Sequence, residues 1–284
     1  MEGYAWERKS GTLWNHALVR AVYAKNVSIV GEQSSVLDGS NCFDERGEEH
    51  YRGPHLVNIC HSENIVLRGC ACVDSSNWVH CIFFNNNIFV EHIQVIAEHD
   101  GVNARSYDNI TIQNYAFYSG DDCIAGMDDR NLLARDCLMN AACSAMRLGA
   151  TNAVMERCKL WDPGEYVFRG SLSIEEKRSG AIPQKLPGHR YNMLNALTYL
   201  GDYSMDIRSM PGNIVIRECK TRNVDRFIQY NYSGKNVWQT NRPLRNITFE
   251  RIRADGISMP LVVYGSADVP LYFVLRDVDI SFAE

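Results

Sequence analysis

A short apolar stretch led by asparagine recurs about every 22 residues along this chain. Asn64, Asn87, Asn109, Asn131 and Asn152 open NIVLRGC, NIFVEHI, NITIQNY, NLLARDC and NAVMERC, at steps of 23, 22, 22 and 21 residues. A fixed short period means units that cannot bury an apolar face alone and must stack on one another. The same step carries Trp78 to Asp100, Asp122 and Ser144, and one position earlier Asn77 to His99, Asp121 and Cys143. If each repeat is one coil of a solenoid, Asp100 and Asp122 lie on neighbouring coils with Asp121 beside them.

Each repeat holds strands of four to six residues, such as IVLRG and ITIQN, that break at polar residues or glycine. Between them there is no room for the helices of a βαβ protein. The pattern predicts an all-β parallel β-helix with coils of about 22 residues, stacked at the usual strand spacing of roughly 4.8 Å. The leading asparagines suit a turn, because Asn tolerates left-handed backbone angles and bonds its own neighbourhood. Asn26, Asn109, Asn231 and Asn246 match N-x-S/T and are read as turn-then-strand patterns rather than sugar acceptors. Six residues beyond the openers, including the later Asn213 and Asn246, stand Cys70, Ile93, Tyr115, Cys137, Cys158, Cys219 and Ile252. Cysteine that alternates with apolar residues predicts an inward ladder of free thiols, not disulfides. The lone Cys70-x-Cys72 is too little for a zinc site, so no metal and no cofactor is expected.

Hydrophobic content of 45%, charged content of 22% and a net charge of −5 describe an ordinary globular chain. They argue against broad nucleic-acid binding. No apolar run approaches the roughly 18 residues of a membrane span. The opening MEGYAWERKS lacks the basic and apolar regions of a secretion signal. Residues 1–284 are expected to form a single domain whose period breaks twice. Asn26 to Asn64 spans 38 residues and Asn152 to Asn213 spans 61. The second excess, near Gly170 to Met210, is expected to be a long inserted loop that walls a cleft over the aspartates.

Residues 98–125, EHDGVNARSYDNITIQNYAFYSGDDCIA, resemble glycoside hydrolase family 28, the polygalacturonase family. That family's marks include an N-T-D-G segment and a later G-D-D-C-I-A. Here they read His99-Asp100-Gly101 and Gly120-Asp121-Asp122-Cys123-Ile124-Ala125, and the spacing between them also agrees. Weaker likenesses at 27–40 (VSIVGEQSSVLDGS) and 74–86 (DSSNWVHCIFFNN) extend the resemblance to most of the chain, from about Tyr23 to Phe282. It implies a right-handed parallel β-helix and a hydrolase that inverts the anomeric centre. Such a reaction needs an acid for the departing oxygen and a base for water on the opposite face. Crowded carboxylates raise one another's pKa values, so one can hold a proton while others stay ionised. By resemblance Asp121 is the acid, and Asp100 and Asp122 position and deprotonate water.

The departures from the family bear on the substrate. Its G-H-G histidine falls at Ser144, and its R-I-K is represented by Val167-Phe168-Arg169-Gly170, with an Arg but no Lys. Arg147 and Arg169 are candidates to hold a substrate carboxylate, or else structural ion-pairing residues. His99 replaces the Thr of N-T-D, and it or His189 is a candidate to stand in for the missing histidine. Trp78 is the candidate sugar platform and Tyr232 resembles a tyrosine that the family uses near the cleft. Tyr230 and Trp238 share that late region of the chain.

The expected partner is a pectic or other acidic polysaccharide or oligosaccharide. A dextranase-like hydrolase of a neutral glycan and a silent glycan-binding β-helix are the alternatives. Family members carry further coils before the region where this chain starts, so either its opening segment caps the stack or it is a truncated form. Free cysteines lean towards a reducing compartment, whereas polysaccharide-degrading relatives are exported, and the compartment stays open.

Overall fold

Asparagine at the start of each repeat does what its chemistry allows. Asn26, Asn64, Asn87, Asn109, Asn131, Asn152 and Asn213 all sit in the left-handed region, with φ between 55° and 61°. Each side-chain amide from Asn64 onward donates to the carbonyl oxygen of the asparagine on the preceding coil at 2.9–3.1 Å, and Asn246 continues the chain of bonds to Asn213. The result is a polar ladder along one corner of the stack. It satisfies amides that would otherwise oppose a bare turn.

The computed structural model describes residues 16–32, 34–180, 185, 187–200, 208–232 and 242–284. A coil is three strands that pair in parallel with their equivalents above and below. First strands include His80–Phe83, Val102–Arg105 and the start of Ile124–Arg135. Second strands include Asn86–Glu91 and Asp108–Gln113, and third strands Gln94–Ala97 and Ala116–Ser119. The register is the sequence step itself: His80 pairs with Val102, Val102 with Ile124 and Ile124 with Met146.

The residue after each opener points inward. Ile65, Ile88, Ile110, Leu132, Ala153, Ile214 and Ile247 are each no more than 2% exposed. Burial of such a side chain contributes about 1.5–3 kcal/mol. Six of the seven residues in the cysteine column are buried, namely Cys137, Cys158, Cys219, Tyr115, Ile93 and Ile252, while Cys70 is half-buried against the core. All ten cysteines are free.

Functional position is decided by the corner that joins a third strand to the next first strand. Two long excursions leave the stack there. Residues 39–54 connect Val36–Asp38 to His55–Cys60, and residues 162–194 connect Lys159–Trp161 to Asn195–Tyr199. The second carries the helix Ile174–Ser179, started by a reciprocal Ser173–Glu176 cap and stopped by Gly180 at φ 68°. The excursions meet: Asn41 donates to the Gly180 carbonyl at 3.4 Å, Arg178 pairs with Glu45, and Lys177 lies 4.3 Å above the Tyr51 ring.

One expectation is corrected here. The excess after Asn152 is not a single loop near 170–210, because Asn195–Tyr199 returns to the stack and pairs with the strand at Ser144. The next strand of the stack is Gly212–Arg217. The sequence step hides the return at Asn195–Tyr199, since the recurring asparagines mark second strands and this is a first strand. The opening segment of the chain and Trp238 lie outside the described residues.

Candidate active site

Asp100, Asp121 and Asp122 sit in successive turns of that corner, in residues 98–101 and 120–123. Register alone puts Asp122 above Asp100 and Asp121 above His99. Gly120, before the aspartate pair, is required by close approach: a Cβ there would stand 2.0 Å from the Val167 carbonyl of the second excursion. The excursion therefore presses directly on the aspartate turn.

Asp100 and Asp122 are fully buried. Asp100 accepts the Asp122 backbone N–H on Oδ1 at 3.1 Å and the Asn103 amide on Oδ2 at 2.7 Å. Asp122 accepts the Ser144 backbone N–H on Oδ1 at 2.9 Å, and Arg147 Nε donates to its Oδ2. Arg147 Nη2 is also 3.6 Å from Asp100 Oδ2. Hydrogen bonds to an ionised carboxylate are the stronger kind, and these donors fix the orientation of both side chains.

Asp121 is partly buried and differs from its neighbours. Burial pushes its carboxyl well above the usual carboxylate range, and the charges of Asp100 and Asp122 add to this, against Arg147 and Arg52. Asp100 is also raised, first by burial and then by Asp122, with Arg147 and the Asn103 hydrogen bond opposing. The three carboxyls thus share one electrostatic problem, and the group best placed to relieve it by holding a proton is Asp121.

The other candidates scatter. Arg147 belongs to the cluster, with its side chain 25% exposed. Tyr232 is partly buried and stacks parallel on Tyr230 at 6.5 Å, on a late coil.

Arg169 is a correction. It is 1% exposed, ion-paired with Glu98, and donates to the carbonyls of Asn41 at 3.2 Å and Lys177 at 3.0 Å. It pins the two excursions to the aspartate turn and does not face a ligand. Trp78 is 5% exposed, stacked on His55 at 5.4 Å and covered by the Arg105 guanidinium at 5.3 Å, so it offers no open sugar platform. His99 is 1% exposed and stacks on Tyr51 at 6.3 Å, its imidazole pushed well below its usual value by burial and by nearby cations. His189 pairs with Glu176 within the second excursion at 3.0 Å. Among the described residues, neither histidine bonds an aspartate.

Residues not singled out from the sequence complete the site. Arg52 is 7% exposed, pairs with Glu49 at 3.2 Å and contributes positive charge at Asp121. It lies in the polar stretch whose excess length was visible, but length does not say which arginine turns inward. Asn103, three residues past Asp100, holds that carboxylate. Cys143 continues the Asp121 column, and donor atoms of Asp121, Asp122 and Cys143 lie within 4.8 Å of one another. A cation there would have to displace the Arg147 guanidinium from Asp122, and burial with the two carboxylates holds the Cys143 thiol well above its ordinary value.

The fold is a right-handed parallel β-helix, the architecture of the solved polygalacturonases to which the chain is similar. No protein-family model matches it. It is 26% identical over 118 residues to a probable polygalacturonase of Vitis vinifera, a match that takes in 38% of this chain and 24% of that protein. Among solved structures it is similar to an exopolygalacturonase of Thermotoga maritima, with a TM-score of 0.67, 17% identity and coverage of 93% of this chain and 67% of the other. The polygalacturonase of Erwinia carotovora ssp. carotovora gives a TM-score of 0.61 at 15% identity, covering 92% of this chain and 69% of the other. The endo-xylogalacturonan hydrolase of Aspergillus tubingensis gives 0.56 at 13% identity, covering 96% of this chain and 74% of the other.

Proposed function

We propose that the chain is an inverting glycoside hydrolase of pectic or related acidic glycans. In this reading Asp121 is the general acid, and Asp100 with Asp122 forms the base that activates water. The observation that carries the reading is the asymmetry among the three carboxyls. Two are held by backbone N–H groups, an amide and a guanidinium, while the third, Asp121, is pushed well up by burial and by both neighbours; Asp100 is raised too, but Arg147 and Asn103 oppose it.

In the reaction the Asp121 proton passes to the glycosidic oxygen as its bond to the anomeric carbon breaks. A water oxygen bonds to that carbon from the opposite face and gives its proton to the Asp100–Asp122 pair. Burial strengthens each of these interactions relative to water. No residue outside the carboxylates is needed for either proton transfer.

The test is reducing-end release from polygalacturonate, xylogalacturonan, rhamnogalacturonan and dextran by the protein and its Asp121→Asn variant. Turnover of an acidic glycan that falls by about 10²–10⁴-fold in the variant is the expected result, the usual contribution of a positioned acid. Turnover of dextran alone would move the substrate to a neutral glycan. Turnover of none of the four by folded protein would reject the hydrolase reading in favour of a glycan-binding β-helix.

A further inference from the structure

We propose that Arg147 is a positioning residue that locks Asp100 and Asp122 into one water-activating pair, rather than an anchor for a carboxylate on the sugar. The proposal rests on the hydrolase reading above and adds the device that divides the labour among its three aspartates.

The geometry begins in the strand register. Arg147 pairs with Ala125, and Ala125 pairs with Asn103 on the coil below. These three positions form one row along the first strands. Alanine in the middle of the row leaves space for the long side chain above to lean back across a coil. Arg147 uses that space: Nε donates to Asp122 and Nη2 reaches 3.6 Å from Asp100 Oδ2. At the other end of the row Asn103 donates to the same Asp100 oxygen at 2.7 Å. The pair is therefore gripped from both ends of one row.

The alternatives for these two carboxylates are poor. The other direct link between them is the Asp122 backbone N–H on Asp100 Oδ1. Without the guanidinium, two buried carboxylates would face each other across one coil spacing with no cation between them. Such a pair takes up a proton, as crowded like charges do, and a protonated pair cannot accept one from water. An anchor for a sugar carboxylate would instead present a free fork to the ligand. Here the fork is already engaged on both aspartates and most of the side chain is covered. The position where the related enzymes keep histidine is Ser144, whose backbone N–H serves Asp122 while its hydroxyl meets Thr198 at 3.2 Å.

The groups that face the pair are Asp121 and Cys143 from the same corner, Arg147 and Asn103 from the first strands, and Arg52 from the first excursion. Arg52 shares its charge with Glu49, so Arg147 is the cation bonded directly to the pair.

Carboxyl-carbon NMR titration of the ligand-free protein tests this without any substrate. It is run on the wild type, Arg147→Met and Arg147→Lys, beside pH profiles of kcat and KM on polygalacturonate. In Arg147→Met the titration of Asp100 moves to higher pH and the acidic limb of kcat moves with it. The value of kcat falls by about 10²-fold, while KM stays within about threefold. Arg147→Lys keeps the charge without the fork and recovers part of the titration shift. An unmoved carboxyl titration in folded Arg147→Met overturns the proposal. A KM that rises tenfold or more with kcat and its pH profile unchanged also overturns it, and makes Arg147 an anchor. If the wild type turns over no glycan, the hydrolase reading fails on its own and the titration still decides whether Arg147 governs the pair.

Discussion

The Oδ1 atom of Asp100 accepts the backbone N–H of Asp122, one coil further along the stack, at 3.1 Å. Asp122 repeats the motif with the N–H of Ser144 at 2.9 Å. Each carboxylate is therefore a rung that holds the corner together as well as a candidate chemical group. Structure and chemistry at these positions are separable only with a substitution that keeps the acceptor oxygen.

That separation is the first expected outcome. Asp100→Asn keeps an oxygen for the Asp122 N–H, whereas Asp100→Ala leaves this N–H and the Asn103 amide without their partner. Urea denaturation should show the alanine variant less stable than the asparagine variant by about 1–3 kcal/mol, the cost of stranding a buried donor. Both variants should lose turnover. Equal stabilities would mean that the rung has no structural weight.

The pH dependence of stability has a definite sign. Asp121 and Asp100 have folded values raised above the ordinary 3.8. A carboxyl with a raised folded value contributes stability that is fully present below its unfolded value and is lost as pH rises through the folded one. Asp121→Asn removes one such group. Thermal melts at pH 8 should find the variant more stable than the wild type by on the order of 1 kcal/mol. The gap should close as pH falls to about 4. A variant less stable than the wild type at pH 8 would contradict the electrostatic account.

The Arg169–Glu98 pair is a buried tether between the second excursion and the aspartate turn. Arg169→Met leaves the Glu98 carboxylate buried without its cation, which typically costs about 3–5 kcal/mol. Chemical denaturation of Arg169→Met and of the double change with Glu98→Leu checks this. The double variant should recover much of the loss, because an apolar pair carries no desolvation penalty. A single-variant loss below about 1 kcal/mol would place the tether outside the stabilising contacts.

The asparagine ladder makes a backbone statement that can be read by substitution. Asn109 has φ 61° and is bonded to Asn87 below and Asn131 above. Asn109→Ala loses these bonds and a third, from the same amide to Asn86 Oδ1 at 3.0 Å, and puts an unassisted Cβ in the left-handed region, at about 1–2 kcal/mol for the backbone alone. Asn109→Gly loses the bonds but not the conformation. Equilibrium unfolding should rank wild type above glycine above alanine, and alanine at or above glycine would refute the left-handed argument.

Thiol counting checks the inward ladder. Cys42 is exposed, Cys60, Cys70 and Cys143 are half-buried, and the other six cysteines are buried. An aromatic disulfide reagent added to the native protein should find about one fast thiol per chain. More than four fast thiols, beyond Cys42 and the half-buried Cys60, Cys70 and Cys143, would mean that buried cysteines open readily.

Much of this was legible because a parallel β-helix turns sequence period into spatial neighbourhood. The columns Trp78–Asp100–Asp122 and His99–Asp121 follow from counting in steps of 22, and the register reproduces them. Counting says which residues share a corner but not which way a side chain turns once other segments arrive. Trp78 and His99 are on the expected coils yet are covered, one by His55 and Arg105 and the other by Tyr51. Arg169 and Arg52 lie in the excursions, where no period operates and contacts depend on how the two segments meet. Their partners, Glu98, Asn41 and Glu49, could not be read from spacing.

The excursions at 39–54 and 162–194 leave and re-enter the stack at one corner, and the strands above and below keep their alignment. Length added there changes the rim without changing the ruler on which the aspartates are marked. Segments of other lengths and sequences could be seated at that corner without disturbing the intervals at which Asp100, Asp121 and Asp122 recur.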